Sequence, residues 1–482
     1  MRRIELADAG FLYMEKRETP THVGGINLFT LPKGVNEQKY LAGLVDLLRN
    51  AEDYRKPFGE YVKTGRAGSL YWVKDEDMDI DYHVRHSALP KPGRYRELFA
   101  LASRLHSTLL DRNRPLWEIH LIEGLQDRQF ALYMKLHHAT IDGIGAMHLT
   151  QAMCSTKKSA RSTDSPLSLV AYERYKEAKY GNRPRKVVPK TRELRAVAEV
   201  LKEQFNSTAN LLSIFKQYGS TWLGQGGNLS VPWRQVPHTS MNTSVGGARR
   251  FVAQSWEFER IKAVCNATNS TVNDAVLAMC AGALRRYLSS QNELPKHSLK
   301  AMVPVSLREE GDLDSANAVG FITADLATSI KDPQKRLAAI KASMVAGKDL
   351  LKGLTAREAA IYMQITQLPM LLSSALGIAS KFPAFSTVIS NVPGPRKQLY
   401  WNGASLDGIY PASIVFDGFA MNITLVSYNN SLDFGIIACR RSLPGVQRMI
   451  DYLEQSLQEL EEVAGLRTVK AKRRVAKKKK VK

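Results

Sequence analysis

Between residues 133 and 143 the chain reads Tyr133-Met134-Lys135-Leu136-His137-His138-Ala139-Thr140-Ile141-Asp142-Gly143. An apolar segment typical of a strand leads into an Asp-Gly pair that is typical of a helix start. Adjacent side chains of a strand point to opposite faces, so we expect one histidine to face a reaction space and the other to pack or orient. Strand-to-helix turns often carry functional groups, because the sheet holds an exposed loop rigid. The stretch therefore predicts an α/β fold with a functional site at this turn.

Histidine suits proton transfer at this site because its unperturbed pKa lies at about 6.5. It can take a proton from an alcohol and give one to a departing thiolate, a role typically worth about 10²–10⁴ in rate. The alternative is a pair of structural histidines beside a turn, which the complete HHxxxDG pattern at 137–143 disfavours. The chain has neither a GxSxG nor a GxxxxGK[ST] motif, so we expect direct attack in a ternary complex.

Asp142 has two interpretations. It could orient a histidine, as in a catalytic triad. It could instead cap the following helix and pair with a buried arginine, and the glycines at 143 and 145 favour this structural role. Arg308, which follows a predicted strand in Pro304-Val305-Ser306-Leu307-Arg308, is the candidate partner.

The length of 482 residues predicts two domains rather than one core. Helix and strand patterns mix in both halves, which predicts two layered α/β domains. We expect an N-terminal domain at 1–180, a helical linker or crossover at 181–245, a C-terminal domain at 246–466 and a disordered basic tail at 467–482. Within these limits, residues 155–190 are rich in Lys, Arg, Ser and Pro and resemble a linker.

Cysteine usage and hydropathy predict a cytoplasmic protein. None of the four cysteines lies in a CxxC pair or at metal-ligand spacing, so we expect structural thiols and no metal site. Charges recur in the first twenty residues and no apolar run reaches about 18 residues, so we expect neither a signal peptide nor a spanning helix.

The charge is strongly basic, at +22, and nearly half of it lies in the tail, where ten Lys or Arg occur without an acid. Such a run is a solvated tail or an anchor to anionic lipid, at about 1 kcal/mol per basic residue. Nucleic acid is not expected as a partner, because the body has no recognisable nucleic-acid motif.

HHxxxDG and five further blocks carry a family resemblance. HHxxxDG resembles the active-site motif of the superfamily that includes chloramphenicol acetyltransferase and peptide-synthetase condensation domains. The five further blocks resemble those of bacterial wax ester synthase/diacylglycerol acyltransferases, and the resemblance covers roughly residues 4–466. They are Asp8, Phe11, Glu15 and Pro20-Thr21-His22-Val23-Gly24-Gly25; Arg114-Pro115-Leu116-Trp117-Glu118; Val272-Asn273-Asp274-Ala275-Val276-Leu277; Pro304-Val305-Ser306-Leu307-Arg308; and Ile389-Ser390-Asn391-Val392-Pro393-Gly394-Pro395.

The resemblance implies two related chloramphenicol-acetyltransferase-like domains, with mixed sheets flanked by helices and an active-site tunnel at their interface. Acyl-CoA, a co-substrate rather than a cofactor, would enter from one side, and a long-chain alcohol or diacylglycerol from the other. His138 would be the base and His137 a positioning residue, while Asp142 would pair structurally with an arginine. The location would be peripheral, at the inner membrane or at lipid inclusions.

The other candidate substrate contacts are Gly143, Asn273, Asp274, Trp117 and Asn391. Asn273 and Asp274 could instead favour the dipole of a helix start, and Trp117 on a strand is more often core. The contact of Asn391 with substrate rests on resemblance alone. An oxyanion would need hydrogen-bond donors, for which Asn273 or a backbone N–H are candidates.

Three other functions compete with acyl transfer to an alcohol. A condensation domain shares HHxxxDG, but this chain carries neither a carrier nor an adenylation module. A non-catalytic lipid-surface protein would not need the intact HHxxxDG motif. The hypothesis of a nucleic-acid binder rests on the basic tail alone. The sequence leaves open the preferred acceptor, the chain lengths and the oligomeric state.

Overall fold

The computed structural model describes residues 1–181, 209–225, 227–306, 319–351, 370, 373–374 and 376–467. The α-helices in these ranges are α1 Leu6–Met14, α2 Glu37–Arg49, α3 Ile80–His83, α4 Tyr95–Leu105, α5 Gly143–Met153, α6 Leu169–Tyr180, α7 Ala209–Trp222, α8 Phe258–Thr268, α9 Val272–Ser290, α10 Pro333–Leu351 and α11 Met449–Val463. The strands are β1 Arg2–Arg3, β2 His22–Thr30, β3 Glu60–Thr64, β4 Leu70–Lys74, β5 Val84–Ala88, β6 Trp117–Glu123, β7 Gln129–His137, β8 Arg249–Glu257, β9 Lys300–Ser306, β10 Val319–Asp325, β11 Thr387–Pro393, β12 Tyr400–Trp401, β13 Ala404–Ala412, β14 Met421–Tyr428 and β15 Ser431–Cys439.

The first large sheet contains the histidine-bearing strand and has the order β12-β13-β2-β7-β6-β5. Only β5 and β6 run parallel in it. Strands β12 and β13 come from residues 400–412, so the second half of the chain completes the sheet of the first half. Gly24 on β2 lies against β7, where a Cβ atom would come within 2.5 Å of the Met134 carbonyl oxygen. This close approach explains the small residues of the opening block.

The second large sheet has the order β10-β9-β11-β14-β15-β8. It is mixed, because β11 runs parallel to both β9 and β14 while the other neighbours are antiparallel. Helix α9 is buried over most of its length against this sheet and α11, and both helices contribute to one large apolar core. A small third sheet, β1-β4-β3, packs beside the first.

An apolar layer joins the two large sheets. Ile26 and Tyr133 of the first sheet belong to one buried cluster with Phe251 and Ile437 of the second. On β15, a Cβ atom at Gly435 would overlap the carbonyl oxygen of Pro411 on β13, so only glycine permits this approach. The sheets are therefore held rigidly against each other, which positions residues from both halves of the chain around one site.

The structure confirms the predicted α/β class, with mixed sheets flanked by helices. The interpretation of residues 155–190 as a linker was wrong in part, because α6 forms within it, capped by the Ser168 hydroxyl, which accepts a hydrogen bond from the Ala171 N–H. Ala171 and Tyr172 of this helix are buried, which the composition of the segment does not reveal. The domain limits 1–180, 181–245 and 246–466 remain predictions. In the structure, residues 400–412 belong to the sheet formed mainly by the first half of the chain.

Candidate active site

The HHxxxDG stretch forms the end of β7 and the turn into α5. Strand β7 ends at His137, whose carbonyl oxygen accepts hydrogen bonds from the N–H and hydroxyl of Thr140, at 2.9 and 2.7 Å. The His138 N–H donates to the carbonyl oxygen of Thr21, at 2.9 Å. His137 is fully buried and His138 is half-buried, so the two side chains lie in different environments, as the strand geometry predicted.

The buried imidazole of His137 is held in one tautomer. Its Nδ1 accepts the N–H of Ala139 at 3.0 Å, so the ring proton is on Nε2. Nε2 then donates to the hydroxyl oxygen of Thr21, at 2.9 Å, and lies 3.5 Å from Oε1 of Glu15. Because both ring nitrogens are engaged within the protein, His137 orients this turn.

Glu15 lies behind His137 and its side chain is only 2% exposed. The carboxylate accepts the N–H of Thr21 at 3.1 Å and pairs with Arg112 at 3.2 Å. Burial opposes ionisation, but the His137 and Thr21 hydrogen bonds and the Arg112 charge outweigh it, and the pKa of Glu15 is lowered. Sequence reasoning assigned no role to Glu15 or Thr21, although both lie in the opening block that carried the resemblance.

The imidazole of His138 stacks on the phenyl ring of Phe11, with centroids 4.1 Å apart and planes inclined by 15°. Phe11 lies on α1, so this helix covers one face of the histidine. A half-buried imidazole with one face fixed by an aromatic ring can present its edge to a bound molecule. His138 therefore has the environment of a reacting group, whereas His137 has that of a support.

Asp142 caps helix α5. Its Oδ1 accepts the N–H of Gly145 at 2.8 Å, and the residue is only 1% exposed. At position 145 a Cβ atom would lie 2.5 Å from Cγ1 of Ile141, so the cap requires glycine there. The observed contact is the helix-capping role that the sequence favoured. Its predicted partner Arg308 lies outside the described residues, so the ion pair stays a prediction.

Two predicted site residues from distant blocks meet directly. The side-chain amide of Asn391 on β11 donates to Oδ1 of Asn273 in the first turn of α9, at 3.2 Å. Oδ1 of Asn391 is buried and accepts no hydrogen bond from the described residues. The next residue on β11, Val392, lies against Gly143, where a Cβ atom would meet Cγ2 of the valine at 3.5 Å. Strand β11 therefore contacts the start of α9 through Asn391 and the start of α5 through Val392.

Two other candidates for substrate contact make structural contacts within the protein. Trp117 is fully buried, donates its indole N–H to the Phe58 carbonyl oxygen at 2.8 Å and stacks on His83. Asp274 is 4% exposed and forms a reciprocal capping box with Thr271. The core and capping alternatives therefore account for both residues, because their polar atoms are used within the protein.

Family models match most of the chain. The model of the wax ester synthase/diacylglycerol acyltransferase catalytic domain matches residues 4–276, and the model of the C-terminal domain of these proteins matches residues 315–461. A condensation domain of the CDA synthetase shares the fold over 96% of both chains, with a TM-score of 0.57 and 14% identity.

Relatives match over nearly the full length. A probable diacylglycerol O-acyltransferase of Mycobacterium tuberculosis is 43% identical over 95% of this chain and 98% of its own. The O-acyltransferase WSD of Acinetobacter baylyi is 40% identical over 96% and 98%. The structure of the wax ester synthase/diacylglycerol acyltransferase from Marinobacter aquaeolei matches 97% of this chain and all of its own, at 41% identity and a TM-score of 0.76. This chain therefore belongs to the wax ester synthase/diacylglycerol acyltransferase family.

Proposed function

We propose that the chain transfers a long-chain acyl group from acyl-CoA to the hydroxyl of a fatty alcohol, of a diacylglycerol, or of both. The observation that carries the proposal is the asymmetry of the histidine pair. His138 is half-buried and stacked on Phe11, while His137 is fully buried and locked by hydrogen bonds. His138 lies in the less buried environment, and His137 holds the turn in place. Family membership supports the same acyl transfer.

His138 is the general base in this mechanism. It removes the proton of the acceptor hydroxyl as the oxygen attacks the thioester carbonyl carbon of acyl-CoA. The new C–O bond forms, the C–S bond breaks, and the imidazolium returns its proton to the departing thiolate of CoA. The reaction needs no acyl-enzyme, because both substrates occupy the site together. Such proton transfer contributes about 10²–10⁴ to the rate.

Asn273 and Asn391 are proposed to contact the reacting thioester. Their mutual hydrogen bond uses Oδ1 of Asn273, which leaves the Asn273 amide N–H groups as candidate donors to the developing oxyanion. If this role is right, Asn273→Ala lowers kcat more than it raises KM, because the interaction is made in the transition state. An equal kcat for the variant and the wild type would exclude Asn273 as the donor.

The test of the function is an assay of the purified chain with acyl-CoA and a panel of fatty alcohols and diacylglycerols, with product identification. We expect wild-type protein to form esters and His138→Ala to lose about 10²-fold or more in kcat. His86→Ala is a matched control, because His86 lies on the surface in an ion pair with Glu123. Full esterification by His138→Ala would exclude the base, and no ester with any acceptor would exclude the function.

The chain is further proposed to work in the cytoplasm at the surface of the inner membrane or of lipid inclusions, where acceptors of this class accumulate. Within the described ranges we find no helix with the length and apolar character that crossing a bilayer requires. The tail beyond Arg467 adds nine basic residues without an acid, which would favour anionic lipid. Cell fractionation of the full chain and of a chain ending at Arg467 tests this location. Equal soluble fractions for both would exclude a tail anchor.

A further inference from the structure

Two apolar pockets lie beside each other in the second half of the molecule. The smaller one is lined by Met14 together with Phe382, Phe416 and Phe419. The larger one is lined by side chains of α7, β9, β10 and α10 and of the segment 229–233, and most of them are apolar. They share Met370, Ala384 and Phe385, so they form one apolar region. Its apolar lining suits a hydrocarbon chain rather than a polar ligand.

Helix α1 contacts both the smaller pocket and His138. Met14 lines the smaller pocket, and Phe11, three residues earlier on the same helix, stacks on His138. Residues three apart lie on the same face of a helix, about 4.5 Å apart along its axis. One face of α1 therefore joins the smaller pocket to the proposed base.

The outer border of the pockets carries exposed apolar side chains. Leu376, Ile378 and Phe382 are 71%, 36% and 63% exposed, and Phe382 also lines the smaller pocket. Trp222 and Leu223, at the end of α7, are 49% and 82% exposed. We refer to these five residues as the apolar border. A cluster of this kind is unfavourable in water unless something covers it.

The two parts of the apolar border lie on neighbouring segments. A Cβ atom at Gly224, just after α7, would lie 3.4 Å from the guanidinium of Arg234. The adjacent Trp233 donates its N–H to the carbonyl oxygen of Ala384, at 3.0 Å. Tyr218 of α7 and Trp233 both line the larger pocket. The end of α7 and the segment 376–385 therefore border the same opening.

Several exposed basic residues adjoin residues that line the smaller pocket. Lys16 and Arg17 follow Glu15, just beyond the end of α1, and Lys381 precedes Phe382; all three are exposed. Arg441 is also exposed and donates to the Ser244 carbonyl oxygen, while the hydroxyls of Ser244 and Ser380 lie 3.0 Å apart.

Three acids among the described residues lie at or beside this rim. The side chain of Glu15 is buried and pairs with Arg112, while Glu18 is exposed. Asp417 accepts the Val245 N–H at 2.7 Å. The rim thus carries a net positive charge beside an apolar surface, which complements anionic headgroups above acyl chains.

We propose that the apolar border and its basic rim dock on an anionic lipid surface, and that the acceptor lipid passes from this surface into the adjoining pockets. The proposal rests on the proposed function for the identity of the lipid that enters. Docking here lets an apolar acceptor reach His138 without crossing water. It also leaves the rest of the surface exposed to dissolved acyl-CoA.

Vesicle flotation of the full-length chain tests the docking surface. The probes are vesicles of phosphatidylcholine with and without phosphatidylglycerol, at one fixed ionic strength, so that the basic tail contributes equally to the binding of every variant. The test variant is Leu223→Asp/Leu376→Asp, since neither residue lines a pocket. Val170→Asp is the matched control, because Val170 is 57% exposed on α6. Thermal melting confirms that each variant is folded.

We expect the double variant to bind phosphatidylglycerol vesicles at least about tenfold more weakly than wild type and Val170→Asp. Esterification of a diacylglycerol held in those vesicles should fall in parallel, while a dissolved short-chain alcohol reacts at the wild-type rate. Unchanged flotation of the double variant would overturn the proposal. The proposal would also be overturned if the double variant lost self-association while its vesicle binding was unchanged, because a second copy of the chain would then cover the apolar border. An enzyme inactive with every acceptor but still bound to vesicles would instead overturn the proposed function.

Discussion

The imidazole of His138 lies parallel to the phenyl ring of Phe11, with the ring centroids 4.1 Å apart. The contact joins the turn after β7 to helix α1, 127 positions earlier in the chain. It fixes the plane of the half-buried ring, while hydrogen bonds fix its neighbour His137. Helix α1 is therefore part of the candidate active site, although the chemistry-bearing motif lies far from it in sequence.

Removal of the Phe11 ring should misorient the base. We expect Phe11→Ala to lower kcat by about tenfold to a hundredfold, because small displacements of a reacting group cost rates of this order. KM for acyl-CoA should change little. Steady-state kinetics with a dissolved alcohol checks the split between kcat and KM. Phe11→Leu, which keeps apolar volume without an aromatic face, should retain more activity than alanine, and a wild-type kcat for Phe11→Ala would contradict the orienting role.

Glu15 acts through His137 and is a positioning residue. Glu15→Gln keeps the shape but removes the charge that faces the Nε2–H of His137. We expect kcat to fall by about tenfold and the pH dependence of kcat to change, because the orientation of the neighbouring turn is weakened. Glu173→Gln, which removes an exposed carboxylate paired with Lys176, is the control. If Glu15→Gln lowered the melting temperature but left the pH dependence of kcat unchanged, Glu15 would have only a structural role.

Asp142 should matter for stability through its cap on α5. We expect Asp142→Ala to lower the free energy of unfolding by about 0.5–2 kcal/mol, the usual cost of a lost N-cap. Asp142→Asn retains an oxygen that can accept the Gly145 N–H and should recover part of this loss. Denaturant unfolding of the two variants measures the difference. An alanine variant as stable as wild type would rule out the structural assignment.

Glu118 predicts a response to acid. It is buried beside Lys135 and His120, at 3.5 and 3.3 Å. Burial opposes its ionisation, but the His120 hydrogen bond and the charges of Lys135 and Arg85 lower its pKa to about 2. The stability that ionised Glu118 contributes is therefore present above about pH 4.5 and is lost as the pH falls towards 2.

Glu118→Gln should be less stable than wild type at neutral pH by about 3 kcal/mol, because Lys135 stays buried without its partner charge. Its stability should then depend less on pH between about 4.5 and 2 than that of wild type. Urea unfolding at a series of pH values gives both quantities. Glu76→Gln, at an exposed pair with Lys74, is the control and should follow the wild-type curve. If the free energy of unfolding changed with pH in the same way for Glu118→Gln and wild type, the assignment of this acid response to Glu118 would be contradicted.

Local patterns in the sequence were sufficient for the strand, turn and helix that carry HHxxxDG. A strand is indicated by apolar residues at every second position, and a helix by an Asp-Gly pair followed by apolar residues at helical spacing. Both patterns involve neighbouring positions only, and β7 and α5 lie where they predicted. The same reasoning identified the histidines and the capping role of Asp142. These features depend on contacts within about four residues along the chain.

Tertiary structure alone decided how distant blocks meet. Thr21 and His137 are 116 residues apart, and Asn273 and Asn391 are 118 apart, yet each pair is joined by a hydrogen bond. Residues 400–412 complete a sheet begun near residue 22, and Trp117 lies in the core. No local pattern encodes such pairings, because they follow from how whole sheets and helices bury their apolar faces together. The sequence by itself determined the candidate reacting group and its turn, and packing determined which residues support and surround it.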